Sequence, residues 1–439
     1  MHKSKLLLLI TFCLILLSAC ENGSLLGLIN QEPELLSTPT PELNQEQTEQ
    51  AQATSESTTS SSADSDDSTS SLNLEAITSD IGVVKIGYMG PLSGGAAAIG
   101  KEQLAYMQAV VDLYVQKTGL DIEIIAEDTE LSPEVGATIA QRFADDPDII
   151  GVVGPASSQV CEAAQPVFQN ANLAHITPSC TKTDLTNPGT ETFFRPIPTD
   201  ADQSRAIAAH MIATSNVYKL HILEDQSSYA SVLSDELSVI LLNSGIRIER
   251  SSFTQEETNF MPIVEVIVEE KPDAVFLVAQ IENQKQDISV ELHKNGFDGF
   301  VYMPDTGFTS GWVEAAGEAA EKTYVTFFAP DPNLVPEADL YNQAYRSMFE
   351  SDPTPFGGAA GMASQVMLQS VIECVEIAGT SRDCIISRLN FTQLDNTLLG
   401  IPISFQQGNQ SKGVFSLFQI QEGEFNLLTG VGDPGLTSE

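Results

Sequence analysis

Ile149-Ile150-Gly151-Val152-Val153-Gly154-Pro155-Ala156-Ser157-Ser158 is the stretch on which the fold turns. A short apolar, strand-like run from Ile149 to Val153 stops at Gly154-Pro155, and a helical pattern runs from Gln159 to Asn170. The same change recurs on both sides. Upstream, Val83 to Met89 reads as a strand, Lys101 to Thr118 as a helix, Leu120 to Ala126 as a strand and Pro133 to Asp145 as a helix. Downstream, Leu173 to Ile176 is the next strand. The rhythm restarts with Lys219 to Leu223, Tyr229 to Asn243, Ile246 to Phe253, Ala274 to Val278 and Phe300 to Met303. A helical region from Glu337 to Leu389 and late strands follow. Strand–helix alternation of this kind predicts parallel sheets covered on both faces, an α/β chain of two doubly wound lobes joined by a hinge. Such sheets bind ligands beyond the carboxyl ends of their strands. The loops after Met89, Val153, Ile176, Leu223 and Met303 are therefore the places to look for a site.

The 439 residues include 60 Asp and Glu against 20 Lys and Arg, a formal net charge of −40. That balance excludes a nucleic-acid binder, which needs basic surface to neutralise phosphates, and excludes docking on anionic lipid through a polybasic patch. Residues 21–80 carry 12 carboxylates and no Lys or Arg. Residues 81–439 carry 48 acidic and 18 basic residues, so the acid belongs mainly to the part that folds. Adaptation to a salty or acidic medium accounts for such a surface; steering of cationic ligands is the sharper alternative.

The first twenty residues read as an export signal. His2, Lys3 and Lys5 precede an apolar run from Leu6 to Leu17, too short to span a bilayer comfortably. The run ends in Leu17-Ser18-Ala19-Cys20, which resembles a bacterial lipobox, with Cys20 as the acylated mature N-terminus. An uncleaved or conventionally cleaved signal is the alternative. Residues 21–81 are dominated by Ser, Thr, Gln, Glu and Asp and cannot bury enough apolar area to offset chain entropy. They are expected to form a disordered acidic tether with a reach of roughly 40–50 Å. Residues 82–439 form the expected two-lobed domain: about 82–200 plus 330–390 in one lobe, about 201–329 plus 391–439 in the other.

The loops at the strand ends carry a series of short motifs. Ile86-Gly87-Tyr88-Met89-Gly90-Pro91-Leu92-Ser93-Gly94 comes first, then Gly151 to Ser158. His175-Ile176-Thr177-Pro178-Ser179-Cys180-Thr181 with Asp184-Leu185-Thr186 follows. Phe194-Arg195-Pro196 and Thr199-Asp200 precede the second lobe, and Gly400 to Phe405 lies near the end. In this order the series resembles the type I periplasmic binding proteins, specifically the branched-chain amino acid (leucine/isoleucine/valine) binding branch, from residue 83 to about 425. The resemblance implies an extracytoplasmic protein, lipid-anchored to the outer face of the cell membrane, that captures an amino acid or related solute for an ABC permease complex. It implies a monomer, no cofactor and no enzymatic step. A sensory module of the same fold, read by a membrane receptor partner, is the alternative.

The resemblance also assigns residues. Ser157 and Ser158 stand where a strand stops and a helix begins, where free N–H groups and the helix dipole favour a carboxylate. Ordinary N-capping by serine is the plainer account of them on residue type alone. By family position Ser157 holds the ligand carboxylate, Thr181 contacts both ends of the amino acid, and the backbone carbonyl of Ser179 accepts from the ligand ammonium. Tyr229 matches an aromatic that closes over the ligand, against a plain core tyrosine. Asp305, in Met303-Pro304-Asp305, matches an acidic residue that pairs with the ammonium, against a solvated loop carboxylate. Ile99 stands where the family often has an aromatic, and Phe356-Gly357-Gly358-Ala359-Ala360-Gly361 is small where bulkier residues are usual. Both departures predict a roomier pocket and an open choice of solute.

Six cysteines fit an exported chain. With Cys13 and Cys20 in the signal region, Cys374 and Cys384 enclose a short helical turn and are candidates for one bridge. Cys161 and Cys180 adjoin the two site loops and are candidates for a second; free buried thiols are the alternative for each. The five histidines are scattered and no Cys-x-x-Cys occurs, so no metal site is expected. No Walker loop and no Gly-x-Ser-x-Gly elbow is present. Trp312, the single tryptophan, reads as packing.

Overall fold

The first lobe is built on a sheet of five strands: β1 (Val83–Gly90), β2 (Asp121–Asp128), β3 (Ile149–Val153), β4 (Ala174–Ile176) and β5 (Phe193–Phe194). They run in the order β2-β1-β3-β4-β5, every neighbouring pair parallel. β3 is buried along its whole length, as expected of a central strand covered by helices on both faces. β2 is the edge, and no residue in it is fully buried. Helices α1 (Ala97–Thr118), α2 (Pro133–Asp145) and α3 (Ser158–Asn170) connect these strands. α2 starts where Ser132 accepts a hydrogen bond from Val135 N–H with proline in the first turn, and α1 stops at Gly119, whose φ of 73° is left-handed.

The chain then enters the second lobe through α4 (Asp200–Thr214). There β6 (Lys219–Glu224), β7 (Arg247–Ser252), β8 (Ala274–Val278), β9 (Phe300–Met303) and β10 (Tyr324–Phe327) are interleaved with α5 (Ser228–Asn243), α6 (Met261–Glu270), α7 (Glu282–Lys294) and α8 (Ser310–Ala316). Helices α9 (Asp339–Phe349), α10 (Pro355–Ile377) and α11 (Arg382–Asn390) return to the first lobe, where α10 packs along α1. Short strands β11 (Gln393–Leu394), β12 (Ile403–Gln406) and β13 (Asn409–Gln410) lie beside them, and the Gly408 carbonyl accepts from Arg195 N–H at 2.7 Å. Finally β14 (Phe415–Gln421) and β15 (Glu424–Val431) extend the second sheet, whose order is β15-β14-β10-β9-β8-β6-β7. β10 pairs antiparallel with β14; the five strands from β6 to β10 are mutually parallel. In each sheet the strand order reverses once, between β1 and β3 and between β6 and β8, and those reversals open crevices at the carboxyl ends of the strands.

This computed structural model describes residues 82–186, 189–214, 216–377, 379–410 and 415–431. The export signal over 1–20, the tether over 21–81 and the lipidation expected at Cys20 lie outside the described residues. Among the described residues, no helix is long and apolar enough to cross a membrane.

The α/β class and every strand and helix expected from the sequence are present. Elements without a strong one-sided pattern were not evident beforehand. α4 packs on both α5 and strands β10 and β14, so it buries more than one face. α7 is mostly polar, burying Ile288 and Leu292 but also Gln284, Lys285 and Ser289. β10 has only four residues, one of them Thr326.

Candidate functional site

Two surfaces face each other across a narrow cleft of about 390 Å³, including space open to solvent. From the first lobe come Pro91, Ile99, Ser157, Ser158, Ser179 and Phe356; from the second come Tyr229, Gln280, Asp305 and Thr306. Five of the six residues singled out in the sequence thus line one cavity. Thr181 does not line it; it lies fully buried two residues beyond Ser179.

The first-lobe wall is made by loops held rigidly from behind. Ser157 is the N-cap of α3 with extended backbone (φ −134°, ψ 142°), yet its side chain makes no capping bond. Its Oγ is buried without a partner. The hydroxyl therefore stands at a helix N-terminus with its hydrogen-bonding capacity unspent, beside the free N–H groups of the first turn. Ser158 differs: its Oγ accepts from Lys182 N–H at 3.3 Å and ties α3 to the next loop. The Ser179 hydroxyl is also spent, donating to the Ala156 carbonyl at 2.7 Å and accepting from Gln103 Nε2 at 2.8 Å. Cys161 and Cys180 are joined in a disulfide that links the first turn of α3 to the Ser179–Thr181 loop. Arg195, fully buried, donates to the carbonyls of Cys180 (3.2 Å) and Lys182 (2.6 Å) and holds that loop from below. Burial lowers its pKa to about 10, still far above neutrality. His175 is clasped between Phe168 and Phe193, and burial lowers its pKa to about 3, so it is a neutral core ring.

Glycine is required at two points of this wall. A side chain at Gly100 would collide with the Pro91 carbonyl, and one at Gly154, whose φ is 121°, would collide with Met89 O. Gly100 lets the loop after β1 lie flat on α1, with Tyr88 Oη donating to the Gly100 carbonyl at 2.7 Å. That contact turns Ile99 into the cavity.

The second-lobe wall is made of ionisable groups. Asp305 follows β9 in a 3₁₀ turn and accepts from Tyr229 Oη at 2.8 Å. Burial raises its carboxyl pKa to about 6, the tyrosine bond offsetting part of the shift. Burial likewise pushes the Tyr229 hydroxyl well above its ordinary range. Lys285, buried on α7, donates to the Thr306 carbonyl and to Thr309 Oγ1, and desolvation lowers its pKa to about 8. Trp312 Nε1 donates to Gly307 O at 2.8 Å, so the lone tryptophan braces the turn that carries Asp305. Asp200, behind Thr181, is fully buried; neither its oxygens nor Thr181 Oγ1 makes a hydrogen bond of normal geometry. Desolvation raises the Asp200 carboxyl, and the negative charge of Asp305 adds to the shift.

Gln280 escaped the sequence reading although it obeys the same rule as the others, lying just beyond the carboxyl end of β8. Asp225 Oδ2 accepts from its backbone N–H at 3.0 Å. Its Nε2 donates to Gln159 Oε1 at 2.9 Å, a buried hydrogen bond from one lobe to the other. The small segment after Phe356 does not enlarge the cavity as expected. Only Phe356 lines it; Gly357 and Gly361 are occupied by the close approach of Glu102 and Tyr106 on α1. The second disulfide, Cys374–Cys384, joins α10 to α11 away from the cleft. No group of His, Cys, Asp and Glu among the described residues could hold a metal ion.

The arrangement can bind a small molecule with an anionic end at the α3 N-terminus and a cationic end at Asp305. Comparisons with known proteins agree with a binding role. The periplasmic binding protein family profile matches residues 83–424. The chain is 22% identical to a Leu/Ile/Val-binding protein homolog of Brucella melitensis over 78% of its own length and 92% of the relative's. It is 23% identical to an amino acid binding protein of Pseudomonas aeruginosa, covering 60% of this chain and 72% of that one. The fold matches a crystal structure of a leucine binding protein from Thermotoga maritima with a TM-score of 0.74 at 20% identity, over 80% of this chain and all of that one. A branched-chain amino acid transporter substrate binding protein from Streptococcus pneumoniae, solved with isoleucine, superposes with a TM-score of 0.70 at 21% identity, over 79% of this chain and 99% of that one.

Proposed function

Because the chain belongs to the periplasmic binding protein family, we propose that it captures an amino acid, or a small solute with the same two charged ends, outside the cytoplasm and passes it to an ABC importer. One observation carries the reading: the unspent Ser157 hydroxyl at the α3 N-terminus and the Asp305 carboxyl of the opposite lobe line one narrow cleft. A buried zwitterion is stable only where both charges are paired, and these two groups supply one partner for each end. Ser157 receives the carboxylate with the N–H groups of α3. Asp305, oriented by Tyr229, receives the ammonium. Ser158, Ser179 and Thr181 hold the loops in register, and the Ser179 carbonyl is a second acceptor for the ammonium.

The amino-acid-binding relatives support this class of ligand. Export, with acylation at Cys20 and an acidic tether over 21–81, completes the proposal: the binding unit is held near the permease yet free to search. Replacing Cys20 by Ala should move the protein from the membrane to the soluble fraction.

Calorimetric titration of the protein with the twenty standard amino acids tests the ligand class. At least one should bind, and Ser157→Ala should weaken it about 10- to 100-fold, the loss of a hydrogen bond to a charged group. Wild-type affinity in both Ser157→Ala and Asp305→Asn would remove these residues from the site.

A further inference from the structure

A second and larger cavity, about 1,470 Å³ including space open to solvent, lies between the same two lobes. It shares two wall residues with the narrow cleft, Ile99 and Phe356. Its first-lobe side comes from the start of α1 and from residues 345–356; its second-lobe side includes Phe308, Thr309 and Phe425. Phe425, Phe308 and Phe356 line it, and the buried Phe327 joins Phe308 to Phe356 behind the wall. Phe425 stacks on Phe308 with centroids 4.1 Å apart, Phe308 meets Phe327 at 5.0 Å, and Phe327 meets Phe356 edge-on at 4.8 Å.

Resting on the amino-acid reading above, we infer that this cavity is a side-chain subsite and that the solute is an amino acid with a long apolar side chain, passing between Ile99 and Phe356 to lie along these rings. Three observations carry this. On that reading the polar groups of the cleft serve two charged ends, and of its apolar lining residues only Ile99 and Phe356 also border the second cavity, so a side chain enters that cavity between them. Phe356 is fixed by Phe327 and by Phe328 at 5.9 Å, so the smaller Ile99 is the part of the partition that has to give way. The carboxylate of Glu102, which borders the second cavity, is already engaged by Tyr345 Oη (2.9 Å) and Thr354 N–H (2.8 Å), and the remaining charges there are of both signs, Lys101 against Glu282 and Asp352. An apolar occupant covers the rings and leaves those charges at the rim in water.

The test is calorimetry with straight-chain 2-amino acids of five, six, eight and ten carbons, with lysine as the charged control. Affinity should climb about fourfold for each added methylene, the ratio expected of apolar burial, and lysine should fall below the eight-carbon compound. Ala98→Trp changes a residue that lines only the second cavity and is exposed on the first turn of α1. It should erase the gain for eight and ten carbons and leave the five-carbon compound unchanged. A sharp loss of affinity beyond six carbons in the unmodified protein, or lysine exceeding the eight-carbon compound, would overturn the subsite while leaving the amino-acid reading standing. Failure of every member of the series and of every standard amino acid would overturn both.

Discussion

The two walls of the cleft are built on different principles. The first-lobe wall presents hydroxyls and backbone from loops fastened by a disulfide, a buried arginine and serine-to-backbone bonds. The second-lobe wall presents Asp305 and Tyr229, with Lys285 buried behind it against Thr306 and Thr309; burial shifts the pKa of all three away from its ordinary value. A preorganised wall loses little entropy when a ligand docks, and a wall of displaced charges gains most when an opposite charge arrives. On the binding reading proposed above, the contrast would assign capture to the first lobe and the drive for closure to the second. Closure then follows from contacts that exist only when both walls touch one molecule.

The largest expected effect breaks the second wall. Asp305→Asn keeps the shape and removes the charge, and should weaken an ammonium-bearing ligand at least roughly 100-fold, the order of cost for breaking a buried ion pair. Calorimetry reads it, and the fluorescence of Trp312, bonded to the Asp305 turn, should lose its ligand-dependent change.

Next comes a pair of changes that separates bracing of the site from bracing of the fold. Removing either disulfide should lower stability, by about 3 kcal/mol for Cys161–Cys180, whose cysteines are 19 residues apart, and somewhat less for Cys374–Cys384, 10 apart. Only the Cys161→Ala/Cys180→Ala protein should also lose affinity at a temperature where both remain folded. Denaturant melts and titrations of the two double variants check this.

The acid limb of binding sharpens the contrast further. Burial raises the folded-state pKa of Asp305 to about 6 against an ordinary 3.8, so its neutral form favours the folded protein. That contribution is fully present below about pH 4 and is lost as pH rises through about 6. An ammonium ligand needs the ionised form, so affinity should rise with pH, approaching tenfold per unit below about 6, and level off above it. Asp305→Asn should flatten the profile. The smallest effect concerns the bond between the walls: Gln280→Ala removes one neutral hydrogen bond to Gln159 and should weaken binding only about 2- to 10-fold.

Much of the architecture could be read from residues alone because its strands are short apolar runs closed by Gly, Pro and Ser. Val83 to Met89 and Ile149 to Val153 lie where their composition put them. Ser157, Ser158, Ser179, Tyr229 and Asp305 share a cavity because each lies in a loop or helix start beyond the carboxyl end of a strand in one of the two sheets. What escaped depends on distance in sequence. The partnership of Gln159 with Gln280 joins residues 121 positions apart, and glutamine after a strand carries no local signal. Lys285 carries no signal of its own in the sequence; the turn after β9 covers it in the fold. Gly357 and Gly361 read as spare room, but a glycine equally serves a neighbouring helix, and here α1 occupies the space.

The central claim is that one molecule is held by its two charged ends, one on each wall. The most direct measurement compares the best-binding amino acid with its N-acetyl and its C-amide derivatives by calorimetry. Each blocked form should lose at least roughly 100-fold in affinity, since each leaves one buried group unpaired. Parent-like affinity of either blocked form would contradict the account.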